Sequence, residues 1–327
     1  MKKFLVACMA LFASLTTINA QSGCDTVSIN YEGNVTISFY RHKHKILQGL
    51  FTINSRGTQI HFASGNLQYK ASTNVWRFAD NQYDCLLGGG GNAVSTNRDS
   101  QSAWIDLFGW GTSGWNSGAT AYQPWEISTG ELDYIPGGAL KAGLTGSYAE
   151  ADWAYHNLIL NGGNENGPAA HQWRVLTSPE WGYLLAREEG DGLMYGCGTL
   201  MGVPGIYLLP DGWAWDAVDG GADFRANVWV PASKSFSNNV ISNAELWNKF
   251  ETAGLVFLPI TGRRQDGVTM KGISGQYSAG FYWTSSSYGS AGKAAYAFEF
   301  SNNKVQSNSS YTRTQGNAVR PVQEVTF

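Results

Sequence analysis

Residues 281–322 read "FYWTSSSYGSAGKAAYAFEFSNNKVQSNSSYTRTQGNAVRPV", a run that is aromatic or apolar at both ends and rich in Ser, Asn, Thr, Tyr and Gly between them. Within it, "AAYAFEF" (residues 294–300) alternates with a period of two, which is typical of a β-strand. Such a strand places Tyr296, Phe298 and Phe300 on one side and Ala297 and Glu299 on the other. The stretch therefore predicts strands whose apolar residues enter the core while polar neighbours face outward.

The same alternation occurs upstream, in "QIHFASGNLQYKASTNVWRF" (residues 59–78). Its apolar positions are spaced by two residues in three runs: Ile60 and Phe62, Leu67 and Tyr69, Trp76 and Phe78. Because the polar segment "KASTN" separates the last two runs, we expect a β-hairpin with one buried face there.

Two segments predict helices, "TSPEWGYLLAREEG" (residues 177–190) and "SNAELWNKFETAG" (residues 242–254). Each begins with a hydroxyl residue followed three positions later by glutamate, which is a capping box, and each stops at a glycine. The cap, glutamate and stop are Thr177, Glu180 and Gly190 in the first, and Ser242, Glu245 and Gly254 in the second. Two short helices among many short strands predict an α+β fold.

Between residue 88 and about residue 163 the periodicity disappears, and Gly, Ser, Asn and Trp dominate. A loop of this length in a compact domain needs packing by its own side chains. We expect Trp104, Phe108, Trp110 and Trp115 to supply that packing.

The amino terminus, "MKKFLVACMALFASLTTINA" (residues 1–20), joins two lysines to an apolar run and a small-residue exit, which is the layout of a secretory signal peptide. The sequence thus predicts an exported protein at the cell exterior or the outer cell surface. With 14% charged residues and a net charge of -3, the chain lacks the basic field that nucleic-acid binding requires.

Three cysteines follow the predicted signal peptide, namely Cys24, Cys85 and Cys197. Cleavage after Ala20 gives a soluble protein, whereas "QSGC" (residues 21–24) also fits a degenerate lipoprotein box with a lipid anchor at Cys24. Cys85 and Cys197 form either a disulfide or two free thiols, and the sequence leaves both alternatives open.

Six segments in this order resemble a known family: "GNLQYKASTNVWRFADNQYD", "WIDLFGWGTSG", "QWRVLTSPEWGYLL", "GLVFLPITGRR", "GFYWTSSSY" and "GNAVRPV". The chain resembles secreted Bacteroidetes proteins with the fibrobacter-type major paralogous domain, which is similar to the C-type lectin and formylglycine-generating-enzyme folds. The resemblance implies a C-type-lectin-like domain at residues 49–327, with two short helices, several short antiparallel strands and long Gly/Trp-rich loops. Residues 21–48 are then an amino-terminal strand and linker segment.

Residues 281–322 also resemble the variable region of proteins diversified by diversity-generating retroelements. That resemblance implies a constant framework of Phe281, Tyr282, Trp283, Phe298, Phe300, Arg313, Gly316, Val319, Arg320 and Pro321. It implies ligand-binding display positions at Ser286, Ser287, Tyr288, Glu299, Asn302, Asn303, Ser307, Asn308, Ser310 and Tyr311. Short polar side chains with tyrosine are the composition that paratopes use, although a solvated loop and strand edge has a similar composition.

Features of catalysis are weak in this sequence. No G-x-S-x-G occurs, and His61, His156 and His171 stand apart along the chain without an identifiable partner. The carboxylates of "REEGDG" (residues 187–192) fit a solvated helix end as well as a catalytic pair.

Formylglycine-generating relatives use cysteines in the carboxy-terminal part of the domain, and none follows Cys197. The loop motifs of calcium-dependent lectins are likewise missing, and "RHKHK" (residues 41–45) reads as a solvated basic turn rather than a metal site.

We therefore expect a non-catalytic, receptor- or adhesin-like protein without cofactor or metal, whose partner is a protein or glycan at the cell exterior. The alternative is a carbohydrate-binding or carbohydrate-active surface protein that uses the Trp/Gly-rich loops, because an indole face complements a sugar ring. For that alternative, exposure is expected at Trp110, Trp115, Trp125, Trp213 and Trp215.

Overall fold

The computed structural model describes residues 26–31, 35–40, 46–86, 103–163, 169–190, 192–265, 269–272 and 278–325. The signal peptide at residues 1–20, Cys24, the basic turn at residues 41–45 and Asp191 lie outside the described residues. Within the described part of the chain, no helix has the length and apolar character to cross a membrane.

The chain divides into two compact units, residues 1–43 and residues 44–327. In the first unit, strands β1 (Thr26–Tyr31) and β2 (Val35–Tyr40) form an antiparallel hairpin with Thr26 opposite Tyr40. The second unit contains the remaining described elements.

Short strands make up most of the second unit. In chain order they are β3 (Phe51–Thr52), β4 (Gln59–Phe62), β5 (Leu67–Lys70), β6 (Val75–Phe78), β7 (Glu188–Glu189), β8 (Gly192–Leu193), β9 (Tyr195–Leu200), β10 (Val203–Leu208), β11 (Val240–Ile241), β12 (Val256–Pro259), β13 (Arg263–Gln265), β14 (Thr269–Lys271), β15 (Ala279–Tyr288), β16 (Ala294–Ser301), β17 (Lys304–Thr312) and β18 (Val322–Glu324).

In the part of the chain that the structure describes, four short α-helices lie among these strands: α1 (Trp153–His156), α2 (Ser178–Leu185), α3 (Gly221–Asn227) and α4 (Ala244–Thr252). The predicted α+β class is confirmed. The expectation of two helices was incomplete, because α1 and α3 span only one or two turns and carry no capping box that the sequence would show.

The strands form several small sheets rather than one large sheet. The larger ones have the orders β11–β9–β10–β12, β15–β16–β17 and β18–β4–β3. Their pairings are antiparallel except for β11, which runs parallel to β9. The predicted hairpin is confirmed, since β5 pairs with β6 and places Tyr69 opposite Trp76.

The sheet β15–β16–β17 is buried on both faces, which the alternation alone did not indicate. Phe298 and Phe300 of β16 belong to one apolar cluster, whereas Ala295 and Ala297 belong to a second. Tryptophans of the irregular region cover this second face, including the fully buried Trp110. The expected packing of the long loop is thereby confirmed for Phe108 and Trp110.

Helix α2 begins as the sequence predicts. The Thr177 hydroxyl accepts from the Glu180 backbone N–H, and the Glu180 carboxylate accepts from the Thr177 N–H at 2.7 Å. Its Trp181 ring stacks on Phe298 with a centroid distance of 4.4 Å, which fixes the helix on the sheet β15–β16–β17. The predicted stop was wrong, because the helix ends at Leu185 and Gly190 lies in the β7–β8 turn.

Helix α4 begins one residue later than predicted. Asn243, not Ser242, is the N-cap, and its side-chain oxygen accepts from the N–H groups of Glu245 and Leu246. Both residue types are good caps, so composition could not choose between neighbours. Gly254 follows the helix with a φ of 99°, as the predicted stop requires.

Candidate ligand-binding site

A cleft of about 580 Å³ lies between the amino-terminal turn of α2 and the sheet β15–β16–β17. We call it the polar cleft, because hydroxyl and amide groups dominate its lining. It is lined by Gly143, Thr145, Thr177, Ser178, Pro179, Gly182, Ser285, Ser286, Ser287, Tyr296, Ser307 and Asn308. Three segments distant in the sequence therefore meet at one place.

Hydrogen bonds hold the walls of the polar cleft together. The Ser178 N–H donates to Ser286 Oγ at 3.1 Å, and the Ser178 hydroxyl donates to the Ser307 carbonyl at 3.0 Å. On the other side, the Leu144 N–H donates to the Ser285 carbonyl at 2.7 Å. The helix, the sheet and the loop around residue 144 are thus fixed before any ligand arrives, which lowers the entropic cost of binding.

Several polar groups of the cleft remain available to a ligand. Asn308 is exposed, and no hydrogen bond among the described residues engages its amide or the Tyr296 hydroxyl. The Ser285 hydroxyl is buried without a partner within the same part of the chain. No charged side chain from the described residues lines the cleft. The site therefore offers uncharged donors and acceptors in a fixed arrangement.

The structure brings part of the predicted display set to this cleft. Ser286, Ser287, Ser307 and Asn308 line it directly. Two further members lie beside it: Tyr288 is exposed and packs edge-on against Tyr296 at 5.1 Å, and Ser310 is the cross-strand partner of Tyr296.

Asn302 and Asn303 lie elsewhere, in the turn between β16 and β17. Both are exposed, and the Phe236 N–H donates to Asn302 Oδ1 at 3.3 Å. Neither residue lines the polar cleft.

Glu299 is not displayed, so its prediction was wrong. The residue is only 8% exposed, and its carboxylate accepts from Lys304 Nζ and from the Tyr311 hydroxyl, each at 2.5 Å. Burial alone would raise the pKa of Glu299, but hydrogen bonds from Lys304, Ser309 and Tyr311 outweigh it and lower that pKa. The reason for the error is that Lys304 and Tyr311 of the neighbouring strand β17 enclose the carboxylate, which the alternation of β16 alone does not indicate.

Tyr311 is also occupied by internal contacts. Its ring lies under the Arg263 guanidinium at 4.4 Å and packs edge-on against Phe281 at 5.5 Å. Burial, followed by the Glu299 carboxylate, raises the pKa of its hydroxyl. Tyr311 therefore acts as a structural residue on the face opposite the polar cleft, rather than as a displayed one.

The framework residues that the resemblance implies are buried in the structure. Arg320 is 1% exposed, and its guanidinium donates to Asn66 Oδ1 and to the carbonyls of Ala63, Gln82 and Phe257. Burial lowers the pKa of Arg320 to about 10.

Arg313 ties the sheet to the irregular region. It lies 4.1 Å from the Trp110 ring and donates to the carbonyls of Ala294, Tyr134 and Leu140. Gly316 is required for close approach, since a Cβ there would lie 2.8 Å from the Arg264 guanidinium.

Sequence reasoning missed Tyr296 and the contribution of α2. Tyr296 was assigned to the apolar side of β16, yet it is half-buried and lines the cleft. The polar start of α2, Thr177 and Ser178, was interpreted only as a helix cap. The capping box uses only Thr177 and Glu180, so the Ser178 hydroxyl is a signal that the start of α2 also has a role outside the cap.

The tryptophans proposed for a sugar platform differ in exposure. Trp110 is fully buried and Trp215 is 8% exposed, so the expectation was wrong for these two. Trp115, Trp125 and Trp213 are half-buried. Trp110 packs under Arg313 and donates its indole N–H to the Thr284 carbonyl at 2.9 Å, which explains its burial among glycines.

The histidines do not all stand alone. The Glu150 carboxylate bonds His156 Nδ1 at 2.7 Å and His171 Nε2 at 2.8 Å. Burial would raise the pKa of Glu150, but these two histidine contacts prevail and lower it. The expectation of unpartnered histidines was wrong for this pair, because residues 15 positions apart meet on one carboxylate.

The two described carboxylates of the "REEGDG" run, Glu188 and Glu189, are exposed but lie in β7 rather than at a helix end. Cys85 and Cys197 are not joined by a disulfide. The Cys85 thiol donates to the Ile260 carbonyl at 3.1 Å, and burial raises the pKa of Cys197 to about 12.

Comparison with known proteins gives one family match. A family described as a domain of unknown function (DUF8237) is similar to this chain over residues 227–322, which include β11 to β17 and helix α4. The match contains the three strands that form one wall of the polar cleft, but not α2 or the loop at residues 143–145. No curated protein and no solved structure matches the chain.

Proposed function

We propose that this protein is an exported, non-catalytic ligand-binding protein that uses the polar cleft on a C-type-lectin-like scaffold. One observation carries the proposal: Ser286, Ser287, Ser307 and Asn308, predicted as display residues from sequence, converge in one cleft. Serines and asparagine beside tyrosine provide adaptable hydrogen bonding with rigid contact area, which suits recognition.

The chemistry of the cleft selects the kind of ligand. The described residues that line the cleft are uncharged, so the binding energy comes from hydrogen bonds and ring contacts rather than from ion pairing. A neutral protein segment or glycan at the cell exterior fits these groups. Because the walls are fixed by internal hydrogen bonds, binding needs little rearrangement.

The test begins with two probes, a random-peptide phage library and a glycan microarray, applied to the purified protein. Each selected ligand is then measured by calorimetry against Asn308→Ala and Tyr296→Phe. Asn308 is exposed, and the second change removes only a hydroxyl, so both variants should keep the melting temperature of the wild type. We expect each to weaken binding about fivefold or more, the effect of losing one hydrogen bond.

Asn302→Ala is the matched control, because Asn302 is an exposed asparagine of the β16–β17 turn and lies outside the cleft. Its affinity should equal that of the wild type. Selected ligands that bind Asn308→Ala and Tyr296→Phe as tightly as the wild type would refute the proposal.

Diversification by a retroelement is part of the same hypothesis and has a separate test in the DNA. A near-copy of the codons for residues 281–322, beside a reverse-transcriptase gene and differing only at adenines, would support it. Without such a copy, the cleft is a fixed site.

A further inference from the structure

A second cavity, of about 360 Å³, lies among the β7–β8 hairpin, helix α3 and the segment that precedes it. We call it the tryptophan cavity. Its lining includes three indoles and three charged side chains, and none of its lining residues belongs to the polar cleft. The six are Trp213, Trp215, Trp229, Glu189, Asp216 and Arg225.

The indoles form an angled aromatic wall. The rings of Trp213 and Trp215 lie 5.3 Å apart at 87°, and those of Trp215 and Trp229 lie 5.1 Å apart at 50°. Trp215 is anchored beneath by Phe224 and Phe250, each with a ring centroid at 5.9 Å. Trp213 and Trp229 are half-buried, so part of each remains accessible.

The charged residues at the cavity have both signs. Glu189 and Asp216 are exposed carboxylates that only accept hydrogen bonds, whereas Arg225 is an exposed guanidinium that only donates them. A cationic ligand could bond only the two carboxylates, and an anionic ligand only Arg225. A neutral ligand rich in hydroxyls can donate to the carboxylates and accept from the guanidinium, because each hydroxyl does both.

We propose that the tryptophan cavity is a saccharide-binding site. The apolar face of a sugar ring packs on the accessible indole surface of Trp213 and Trp229, while its hydroxyls bond Glu189, Asp216 and Arg225. The mixed polarity of a sugar ring, apolar on its faces and hydroxylated on its edge, matches this lining. The tryptophan cavity is separate from the polar cleft, so the proposal for the cavity does not depend on the function proposed for the cleft.

The experiment measures binding of single saccharides to the full-length protein by calorimetry. The panel contains glucose, galactose, mannose, xylose, N-acetylglucosamine and their β-linked disaccharides, with choline and inorganic phosphate as charged probes. We expect at least one saccharide to bind in the millimolar to micromolar range and to change tryptophan fluorescence. Neither charged probe should bind.

The double variant Glu189→Gln, Asp216→Asn tests the location without disturbing the aromatic core, because both residues are exposed. It should weaken saccharide binding at least about tenfold, since hydrogen bonds to charged groups are the stronger ones. Glu188→Gln is the control: it is the preceding exposed residue of β7 and does not line the cavity.

Equal melting temperatures of the three proteins establish that the changes are local. Absence of binding across the saccharide panel would overturn the proposal. So would saccharide binding that the double variant leaves unchanged, or binding of choline or phosphate in place of the sugars.

Discussion

Replacing Gly182 with alanine should stabilise the protein, although the residue lies in the middle of the candidate site. Gly182 is inside helix α2, where glycine is less favourable than alanine by about 0.8–1.0 kcal/mol. Outside its own helix, a Cβ at this position would meet one atom of the described residues within 4 Å, Ser307 Oγ at 3.4 Å, which is an ordinary van der Waals distance. No steric cost therefore offsets the gain, and the free energy of unfolding should rise by about 1 kcal/mol.

The assay is urea denaturation followed by tryptophan fluorescence, together with thermal melting. A gain of about 1 kcal/mol corresponds to a rise of about 2–4 °C in melting temperature for a domain of this size. The added methyl group also occupies part of the polar cleft beside Ser307. A ligand selected for that cleft should consequently bind more weakly to Gly182→Ala, even though the variant is more stable.

Gly57→Ala provides the matched control. Gly57 lies in the turn between β3 and β4 with a φ of 80°, and no atom of the described residues lies within 4 Å of its added Cβ. The same chemical change should destabilise the protein there by about 1–2 kcal/mol, because an L-residue is strained in the left-handed region. If Gly182→Ala lowers stability, or if both variants shift it in the same direction, the reasoning about α2 is refuted.

Three further predictions concern buried polar groups. Arg320→Lys should lower the free energy of unfolding by about 2–3 kcal/mol, because a lysine ammonium cannot reach the four acceptors that the Arg320 guanidinium bonds. In the same urea titration, Arg56→Lys at an exposed position should leave the stability unchanged. Iodoacetamide at mildly alkaline pH should modify Cys197 only after unfolding, because burial raises the pKa of its thiol to about 12. Mass spectrometry without reduction should find no disulfide between Cys197 and Cys85, and finding one would contradict the structure. Burial raises the pKa of Asp152 from 3.8 to about 6, so protonation of this carboxyl favours the folded state. The resulting contribution to the free energy of unfolding, up to about 3 kcal/mol, is full below pH 3.8 and is lost as the pH rises through 6. The stability of Asp152→Asn should depend less on pH over the same range.

Local signals in the sequence predicted the elements that depend on neighbouring residues. The capping box of α2, Thr177 with Glu180, was correct, because its hydrogen bonds join residues within one turn. The hairpin β5–β6 was correct because the alternation around "KASTN" fixes its register. At α4, where Ser242 and Asn243 are both good caps, the sequence could not choose, and the wrong one was predicted.

The site was predictable only in part. The resemblance of residues 281–322 to a diversified variable region implied polar display residues in β15 and β17, and four of them reach one cleft. Tyr296 and the start of α2 were missed, since nothing near them in the sequence indicates that Trp181 stacks on Phe298 and brings the helix to the sheet.

The sequence by itself determined the α+β class and the supply of uncharged polar groups near the carboxyl terminus. Only the tertiary structure decided which of those groups face outward. Glu299 and Ser307 differ in this respect because side chains of β17 enclose the Glu299 carboxylate, whereas α2 leaves a cleft at Ser307. Alternation along a strand specifies two sides, but burial of either side depends on segments distant in the sequence.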